Sequence, residues 1–133
     1  MRESVKRARP IVNAQEYVSG REAIATVACR DGEVLSLVCL EVVAATQPKG
    51  PAAVVRIIEH EGMEEAARIL VGRFRLSGFC GLDFIITGSG EARLLEVNLR
   101  ATPTCHLLVD MDLPRDQVVR LFPADLILSL IHI

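Results

Sequence analysis

The feature that most constrains the fold of this chain is a pair of apolar runs joined by a glycine-rich turn. The first run spans residues 79–87 and the second spans 92–97, with Gly88-Ser89-Gly90 between them. Runs rich in apolar, β-branched and aromatic residues favour strands, and glycine permits the positive φ angles that tight turns require. The pattern therefore predicts an antiparallel hairpin.

The register of this hairpin predicts which side chains face each other. If Ser89-Gly90 forms a two-residue turn, Thr87 pairs with Ala92. Counting outward from that pair places Asp83 directly opposite Glu96. Opposed carboxylates lie only about 5 Å apart at Cβ and repel each other. A chain that buries both would need a cation between them, and a divalent ion satisfies that need.

The residues after Glu96 extend the same polar face. Because side chains alternate, Asn98 and Arg100 are predicted on the face of Glu96. The opposite face is predicted to be apolar, with Leu95, Val97 and Leu99. A strand with one apolar side and one side of ligand- and phosphate-binding groups indicates a functional site. The alternative is an ordinary solvent-exposed hairpin, in which a bulge or a longer turn shifts the two acids out of register.

Composition indicates a globular class and excludes several functions. The chain has 133 residues, of which 50% are hydrophobic and 24% charged, with a net charge of -2. These values suit one compact domain with an apolar core and argue against a basic nucleic-acid surface. Aromatic residues make up 4% of the chain, which disfavours stacking platforms for single-stranded nucleic acid. We therefore expect no nucleic-acid partner.

The cysteines and the apolar runs predict a cellular compartment. The four cysteines lie in apolar, strand-like contexts without Cys-x-x-Cys spacing, at Cys29, Cys39, Cys80 and Cys105. Buried free thiols in a reducing cytoplasm are therefore expected. No apolar run reaches the ~20 residues that a membrane helix needs, and the first residues lack the apolar region of a secretory signal. Neither membrane association nor export is expected.

The chain before this hairpin predicts more antiparallel pairing. Residues 11–18 are interpreted as a strand that ends at Ser19-Gly20. Strands over 23–30 and 33–43 flank Asp31-Gly32, a strong signal for a two-residue hairpin turn. Both faces of these two strands are mostly apolar, so we expect the sheet to be covered by a helix.

A loop, a short strand and one helix follow. Residues 46–51 form a proline- and glycine-rich loop that carries Lys49, for which a plain connector is the simplest interpretation. A strand over 53–58 carries Arg56. Apolar residues then recur at helical spacing and predict a packing helix, namely Met63, Ala66, Ala67, Leu70, Val71 and Phe74. The predicted fold is α+β, a mostly antiparallel sheet with one main packing helix.

This order of elements resembles the carboxyl-terminal half of an ATP-grasp domain. Members of that family have a final hairpin similar to Gly81-Leu82-Asp83-Phe84 and Leu95-Glu96-Val97-Asn98-Leu99-Arg100. The resemblance implies that Asp83, Glu96 and Asn98 are ligands of Mg²⁺, with Mn²⁺ as the alternative, and that the ion bridges the phosphates of ATP.

The resemblance also implies a nucleotide-binding segment further upstream. Residues 15–22 are similar to the hinge of D-alanine:D-alanine ligases, which have a glutamate-lysine-aromatic-aliphatic run followed by Gly-Arg-Glu. The resemblance places adenine against the backbone near Val18, the adenine amino edge near Gln15 and the ribose hydroxyls near Glu22. The implied nucleotide-binding residues are Gln15, Glu16, Tyr17, Val18 and Glu22.

Two arginines are implied to be catalytic. Arg56 matches the place where biotin carboxylase and its relatives carry a phosphate-binding lysine, and Arg100 matches the arginine of their Asn-x-Arg segment. Guanidinium groups at those places would hold oxygens as charge develops. Other positions depart from the family pattern: Gln15 replaces a glutamate, Leu99 replaces a proline, and Gly81 replaces the oxyanion-binding arginine of D-alanine ligases. The substrate is therefore expected not to be D-alanine.

The resemblance covers residues 11–106 and divides the chain into three predicted parts. Residues 1–10 are expected to form a flexible segment, and 11–127 a partial ATP-grasp domain. Residues 128–133 match the translation of an adaptor used in sequencing libraries, so we expect them to be an artifact. The glycine-rich lid and the preceding domain of the family are expected upstream of the first residue.

The resemblance implies an ATP-dependent carboxylate ligase, of which this chain is a fragment. Such an enzyme phosphorylates a small-molecule carboxylate to an acylphosphate and joins it to an amine or another nucleophile. The expected cofactors are ATP and Mg²⁺, and the expected partners are the two small-molecule substrates. The alternatives are a nucleotide-binding regulatory or assembly module without ligase activity, and an interaction domain without a ligand.

Overall fold

The computed structural model describes residues 12, 14–48, 50–108 and 116–121, which form one antiparallel sheet and one long helix. The strands are β1 (Arg21–Arg30), β2 (Glu33–Ala45), β3 (Ala52–Ile58), β4 (Gly78–Ile86), β5 (Ala92–Asn98) and β6 (Val118–Arg120). The helices are α1 (Glu61–Phe74) and the short 3₁₀-helix η1 (Cys105–Leu108). The six strands lie in the order β5-β4-β1-β2-β3-β6, with antiparallel neighbours. The predicted α+β fold is confirmed.

The predicted turn between the first two strands is confirmed. Asp31 has a φ of 49° and Gly32 a φ of 89°, so both central residues are left-handed. Two left-handed residues twist the turn in the direction that matches the right-handed twist of the strands. Arg30 consequently pairs with Glu33, and β1 continues along β2 with one bulge near Cys29.

Helix α1 begins and ends at residues with identifiable caps. The Nδ1 atom of His60 accepts a hydrogen bond from the backbone N–H of Met63 at 3.3 Å, which satisfies one of the free donors of the first turn. At the other end Arg75 adopts a left-handed conformation, and the N–H of Leu76 donates to Val71 O at 3.0 Å. This pattern satisfies carbonyls of the last turn and stops the helix.

One face of the sheet packs against α1 and forms the main core. Small side chains on β1 allow the helix to approach closely, and every second residue of β4 contributes a larger apolar group. The buried members of this core are Ala23, Ala25, Val27, Cys29, Cys39, Met63, Ala67, Val71, Cys80, Leu82, Phe84 and Ile86. We call this side of the sheet the helix face.

The other side of the sheet, which we call the open face, is covered over part of its area. Leu107 of η1 packs in one cluster with Leu40, Val55 and Ile57, so η1 covers part of β1, β2 and β3. Over β1, β4 and β5 the described part of the chain leaves two pockets on this face. The polar residues singled out from the hairpin sequence lie around these pockets.

Two predictions about segments that precede β4 are wrong within the described residues. Residues 12 and 14–19 include no strand, because the segment contains poor strand formers such as Gln15 and Glu16 and has no strand partner there. Phe74 was predicted to pack inward, but 62% of its surface is exposed since it ends the last turn beyond the sheet contact. The predicted segments 1–10 and 128–133 lie outside the described residues.

Within the described ranges, no helix is long and apolar enough to cross a bilayer.

Candidate functional site

The hairpin of β4 and β5 has a longer turn than its sequence predicts. Thr87 N donates to Glu91 O at 2.9 Å, and Gly90 N donates to Thr87 O at 2.9 Å. Three residues therefore form the loop, with Gly90 left-handed at a φ of 84°. This loop pairs Ile86 with Ala92, where the two-residue turn had predicted Thr87. The turn prediction is wrong by one residue.

A β-bulge then restores the predicted pairing of the two acids. Phe84 pairs with Leu94, but the next residue pair is Asp83 with Glu96, so Leu95 is an extra residue in β5. The longer loop and the bulge shift the register by one residue each, in opposite directions. The predicted alignment of Asp83 with Glu96 is confirmed although the predicted turn is not.

The bulge also changes the face on which Leu95 lies. Leu95 was predicted on the apolar side with Val97 and Leu99, but it lines a pocket together with Asp83 and Glu96. The extra residue breaks the alternation of side chains, so neighbouring residues reach the same side. Val97 and Leu99 line a separate groove against α1, as predicted for the other face.

Asp83 is half-buried and has a hydrogen-bond partner from β5. The Nδ2 atom of Asn98 donates to Asp83 Oδ2 at 3.0 Å. Burial raises the pKa of Asp83 above its ordinary value, and the nearby Glu96 carboxylate raises it further. The Asn98 hydrogen bond and the Arg100 charge oppose this increase. The carboxylates of the site therefore carry more negative charge than Asn98 and Arg100 offset.

Glu96 does not share the burial of Asp83. Its side chain is exposed, so the condition under which two buried carboxylates would require a cation is not met. Among the strands of the described residues, β5 is at the edge of the sheet, next to β4 alone. Water can therefore screen the repulsion, and burial alone does not demand a cation between the two acids.

The donor atoms of the site are nonetheless suited to a hard cation. Asp83 and Glu96 offer carboxylate oxygens, and the Asn98 amide oxygen lies beside the nitrogen that donates to Asp83. Oxygen donors of this kind are the ligands that Mg²⁺ prefers, usually with several retained waters. Among the described residues, no three His, Cys, Asp or Glu side chains cluster closely enough to hold a metal ion by themselves. The residues fit a weakly chelated Mg²⁺ that shares its shell with a ligand.

A pocket of about 230 Å³ brings Glu22 to the two acids. Glu22 precedes Ile24 on β1, and Ile24 pairs with Asp83 in the sheet register. The remaining wall is apolar and comes from five strands, with Ile24, Val42, Ala52, Phe84 and Leu95. An apolar wall next to carboxylates suits a ligand with one planar or apolar part and one polar part.

A second pocket of about 180 Å³ adjoins Asp83 on the side of Arg100. Asn98 and Arg100 line it together with two threonines, Thr102 and Thr104. The Arg100 side chain is exposed, and its Nη1 atom donates to Ala101 O at 3.3 Å. The exposed Arg100 therefore borders a pocket that Asp83 also lines.

The predicted hinge residues lie at the surface. Gln15, Glu16 and Tyr17 are exposed and Val18 is half-buried. The segment enters β1 through Gly20, where an added Cβ would lie 2.3 Å from Ile86 O. A larger side chain could not fit there, so Gly20 holds the start of β1 against the end of β4. No described contact joins the four hinge residues to Asp83.

Arg56 is not brought to the other site residues. It pairs in register with Glu41, and Glu41 pairs with Ala23, whose side chain packs on the helix face. The Arg56 Nη1 atom lies 3.8 Å from Glu41 Oε2, and Arg21 binds the same carboxylate at 2.9 Å. Paired residues of a sheet point to the same side, so Arg56 faces away from Asp83.

Cysteine and histidine side chains have structural surroundings. Cys29, Cys39 and Cys80 are buried free thiols as predicted, and burial raises the pKa of Cys39 to about 12. Cys105 is half-buried. His60 caps α1 and its Nε2 atom donates to Gly90 O at 3.0 Å, which ties the helix to the hairpin turn.

Three threonines lie near the site although no sequence pattern predicted them there, namely Thr26, Thr102 and Thr104. Thr26 lies inside a strand that is mostly apolar, and a buried polar residue in such a strand is the signal that could have found it. Thr102 and Thr104 follow the Asn98-x-Arg100 segment by two and four residues, which was a second available signal.

Comparison with solved structures shows the fold to which this arrangement belongs. The ATPase subunit of phosphoribosylaminoimidazole carboxylase from Aquifex aeolicus aligns with a TM-score of 0.54 and 16% identity, over 70% of this chain and 30% of that chain. A protein from Archaeoglobus fulgidus described as an ATP-grasp superfamily member aligns with a TM-score of 0.52 and 20% identity, over 80% and 40%. This chain thus spans less than half of the length of either structure.

Sequence comparison gives the family. No curated protein sequence matches this chain. A family model described as an ATP-grasp domain matches residues 2–104, which include both acids of the hairpin and the residues of both pockets up to Thr104. The chain therefore belongs to the ATP-grasp family.

Proposed function

We propose that the open face binds a magnesium nucleotide and that the parent protein is an ATP-dependent carboxylate ligase. The observation that carries the proposal is the pocket in which β1, β4 and β5 bring together Glu22, Asp83 and Glu96 beside an apolar wall. Family membership supports ATP as the nucleotide.

The pocket supports a division of roles along the nucleotide. The apolar wall formed by Ile24, Ala52 and Leu95 suits the faces of a purine. Glu22, at one side of that wall, is the proposed partner of the ribose hydroxyls. Gln15, Glu16, Tyr17 and Val18 precede β1 and are the proposed contacts of the adenine edge.

The two acids of the hairpin are the proposed cation ligands, together with Asn98. Asp83, Glu96 and Asn98 supply three oxygens, and the bound phosphates and water would complete the shell. Magnesium, or manganese in its place, would neutralise phosphate charge when bound there, and the three side chains would hold it. Arg100 lies next to this set and is the proposed donor to phosphate oxygens as charge moves onto them.

The proposed reaction follows from phosphoryl transfer to a carboxylate. An oxygen of the substrate carboxylate attacks the γ-phosphorus, the bond from phosphorus to the β-γ bridging oxygen breaks, and ADP leaves. An amine or other nucleophile then attacks the acyl carbon, loses its proton, and inorganic phosphate leaves. No side chain of this chain needs to form a covalent bond, so positioning and charge neutralisation are its proposed contributions.

Direct binding measurements test the nucleotide part of this proposal. Titration of the chain with Mg-ATP, followed by NMR chemical shifts, is expected to show saturable binding at residues around Asp83. Asp83→Asn should weaken the affinity at least about tenfold, since a hard cation loses a charged oxygen.

Glu91→Gln is the matched control, because Glu91 is an exposed acid of the same hairpin outside both pockets. It should leave the affinity unchanged. Equal affinity in the parent and in Asp83→Asn, or no saturable binding by the parent, would contradict the proposal.

A further inference from the structure

The chain crosses the open face after β5 in a segment that we call the strap, residues 99–104. Thr26, Gly81 and Asn98 lie in register across β1, β4 and β5, so their side chains point to this face. The strap leaves β5 after Asn98 and leads into η1, which contacts β1 and β2. It therefore passes directly over the row that these three residues form.

Gly81 provides the space in which the strap lies. A Cβ atom at Gly81 would be 2.8 Å from Thr102 Cγ2, closer than two carbon atoms can approach without displacement. Thr102 is β-branched, so its methyl group cannot rotate away freely. The missing side chain at Gly81 thus allows Thr102 to rest on the backbone of β4.

A chain of hydroxyl groups ties the strap to the sheet. Thr26 is fully buried and its hydroxyl shares a hydrogen bond with that of Thr104, which is 2% exposed. The Thr104 hydroxyl also lies 3.0 Å from the Thr102 hydroxyl. A buried hydroxyl that loses its partner costs far more than the net contribution of the bond, so these groups specify one position of the strap.

The position of Arg100 depends on both ends of this segment. On one side Asn98 is held by its hydrogen bond to Asp83, and on the other Thr102 is held over Gly81 by Thr104. Arg100 lies between these two anchors, and its own exposed guanidinium donates to Ala101 O within the strap. The strap therefore decides whether the guanidinium lies beside the pocket next to Asp83.

We propose that the hydroxyl chain Thr26–Thr104–Thr102 is a positioning element that holds Arg100 beside the cation ligands, and so makes nucleotide affinity depend on the number of phosphates. The proposal rests on the proposed function for its ligand. None of the three threonines touches the phosphates in this scheme, because each acts through the position of Arg100.

The first test measures the strap without any ligand. In the double variant Thr26→Val/Thr104→Val both partners of the buried bond become apolar groups of similar shape, which leaves no unsatisfied hydroxyl between them. The amides of Cys105 and Leu107, which donate to Thr102 O and Thr104 O, should then exchange about tenfold faster with solvent. Amides in the centre of β1 should keep their rates, and Thr26→Ser/Thr104→Ser should behave as the parent.

A second variant provides the same test if the double variant does not fold. Gly81→Ala leaves every hydroxyl in place but pushes Thr102 away from β4. It should raise the exchange rates of the same two amides. Unchanged rates at Cys105 and Leu107 in both folded variants would overturn the proposal, because the strap would then be held by other contacts.

The second test compares Mg-ATP with Mg-AMP as probes. The parent should bind the triphosphate more tightly, and the ratio of the two affinities should fall about tenfold in the valine double variant while AMP affinity stays constant. A role limited to stability would weaken both nucleotides equally, and that result would overturn the link to Arg100. If the parent binds neither nucleotide, the proposed function fails, and the exchange experiment still decides whether the hydroxyls position the strap.

Discussion

The two faces of the sheet differ in what their side chains do, although they belong to the same strands. On the helix face Leu82 is fully buried, and Val27 and Met63 pack near it without a polar atom. On the open face the next residue of β4, Asp83, is half-buried beside another carboxylate and has a raised pKa. One face stabilises the fold, while the other keeps charged and polar groups partly buried at a cost to stability.

This contrast indicates where the chain tolerates change. Burial of apolar side chains is favourable without any ligand, so the core of the helix face stabilises the chain without one. Carboxylates that repel each other are useful where a ligand neutralises them, so the open face is incomplete without one.

The helix face should dominate stability. Leu82→Ala removes a fully buried side chain from the centre of the core and should lower the unfolding free energy by about 2–5 kcal/mol, measured by urea denaturation. Leu35→Ala is the control, because Leu35 is 60% exposed and should change stability by no more than about 0.5 kcal/mol. Equal effects of the two substitutions would show that this face is not the main core.

Substitution of Asp83 on the open face should have opposite effects on stability without and with ligand. Without magnesium, Asp83→Asn should be as stable as the parent or slightly more stable, because a repulsive and partly buried charge is removed. With Mg-ATP at 100 times its dissociation constant the parent should gain about 2.7 kcal/mol, and the variant should lose most of that gain. Thermal-shift series with and without Mg-ATP measure both states. Equal ligand-induced shifts would remove Asp83 from the cation site.

The raised pKa of Asp83 predicts a dependence of stability on pH. The folded chain keeps the Asp83 proton over a range above pH 3.8 in which the unfolded chain has lost it. The unfolding free energy should therefore fall as pH rises through the raised pKa, by less than about 1 kcal/mol because water screens a half-exposed group. Asp83→Asn should flatten this part of the pH profile. A profile that rises with pH in the parent, relative to the variant, would show that the pKa is lowered instead.

The smallest expected effect on stability comes from Arg56 on the helix face, and nucleotide affinity should distinguish Arg56 from Arg100. Arg56→Gln breaks a partly exposed ion pair with Glu41 on the helix face and should change the unfolding free energy by at most about 1 kcal/mol. It should leave the affinity for Mg-ATP unchanged, whereas Arg100→Gln should weaken it. Equal losses of affinity in both variants would restore Arg56 as a phosphate-binding residue and contradict the separation of faces.

Local patterns in the sequence predicted most of the elements. Asp31-Gly32 predicted its hairpin because two left-handed residues match the twist of adjoining strands. The spacing of Met63, Ala67 and Val71 predicted the buried side of α1, since these positions recur at the helical period. The strand predicted over 11–18 failed because strand formation needs a partner, which no local pattern reveals.

Long-range contacts could not be predicted in the same way. η1 and β6 were not predicted, because their short segments have weak patterns and depend on packing against β1–β3. The face of the sheet on which Arg56 lies depends on the pairing between β2 and β3, and the register of that pair includes two shifts. The hydrogen bond between Thr26 and Thr104 joins residues that are 78 positions apart in the sequence. Local sequence patterns do not predict contacts at that separation.

The sequence by itself determined the alternation of side chains along each strand, the turn residues and the presence of Asp83, Glu96 and Asn98 in one hairpin. The tertiary structure decided how those residues meet. The longer turn and the bulge at Leu95 cancel, so Asp83 faces Glu96 although the count from the turn was wrong. The physical reason is that propensity and spacing act over a few residues, whereas register, face and burial depend on which strands pack together.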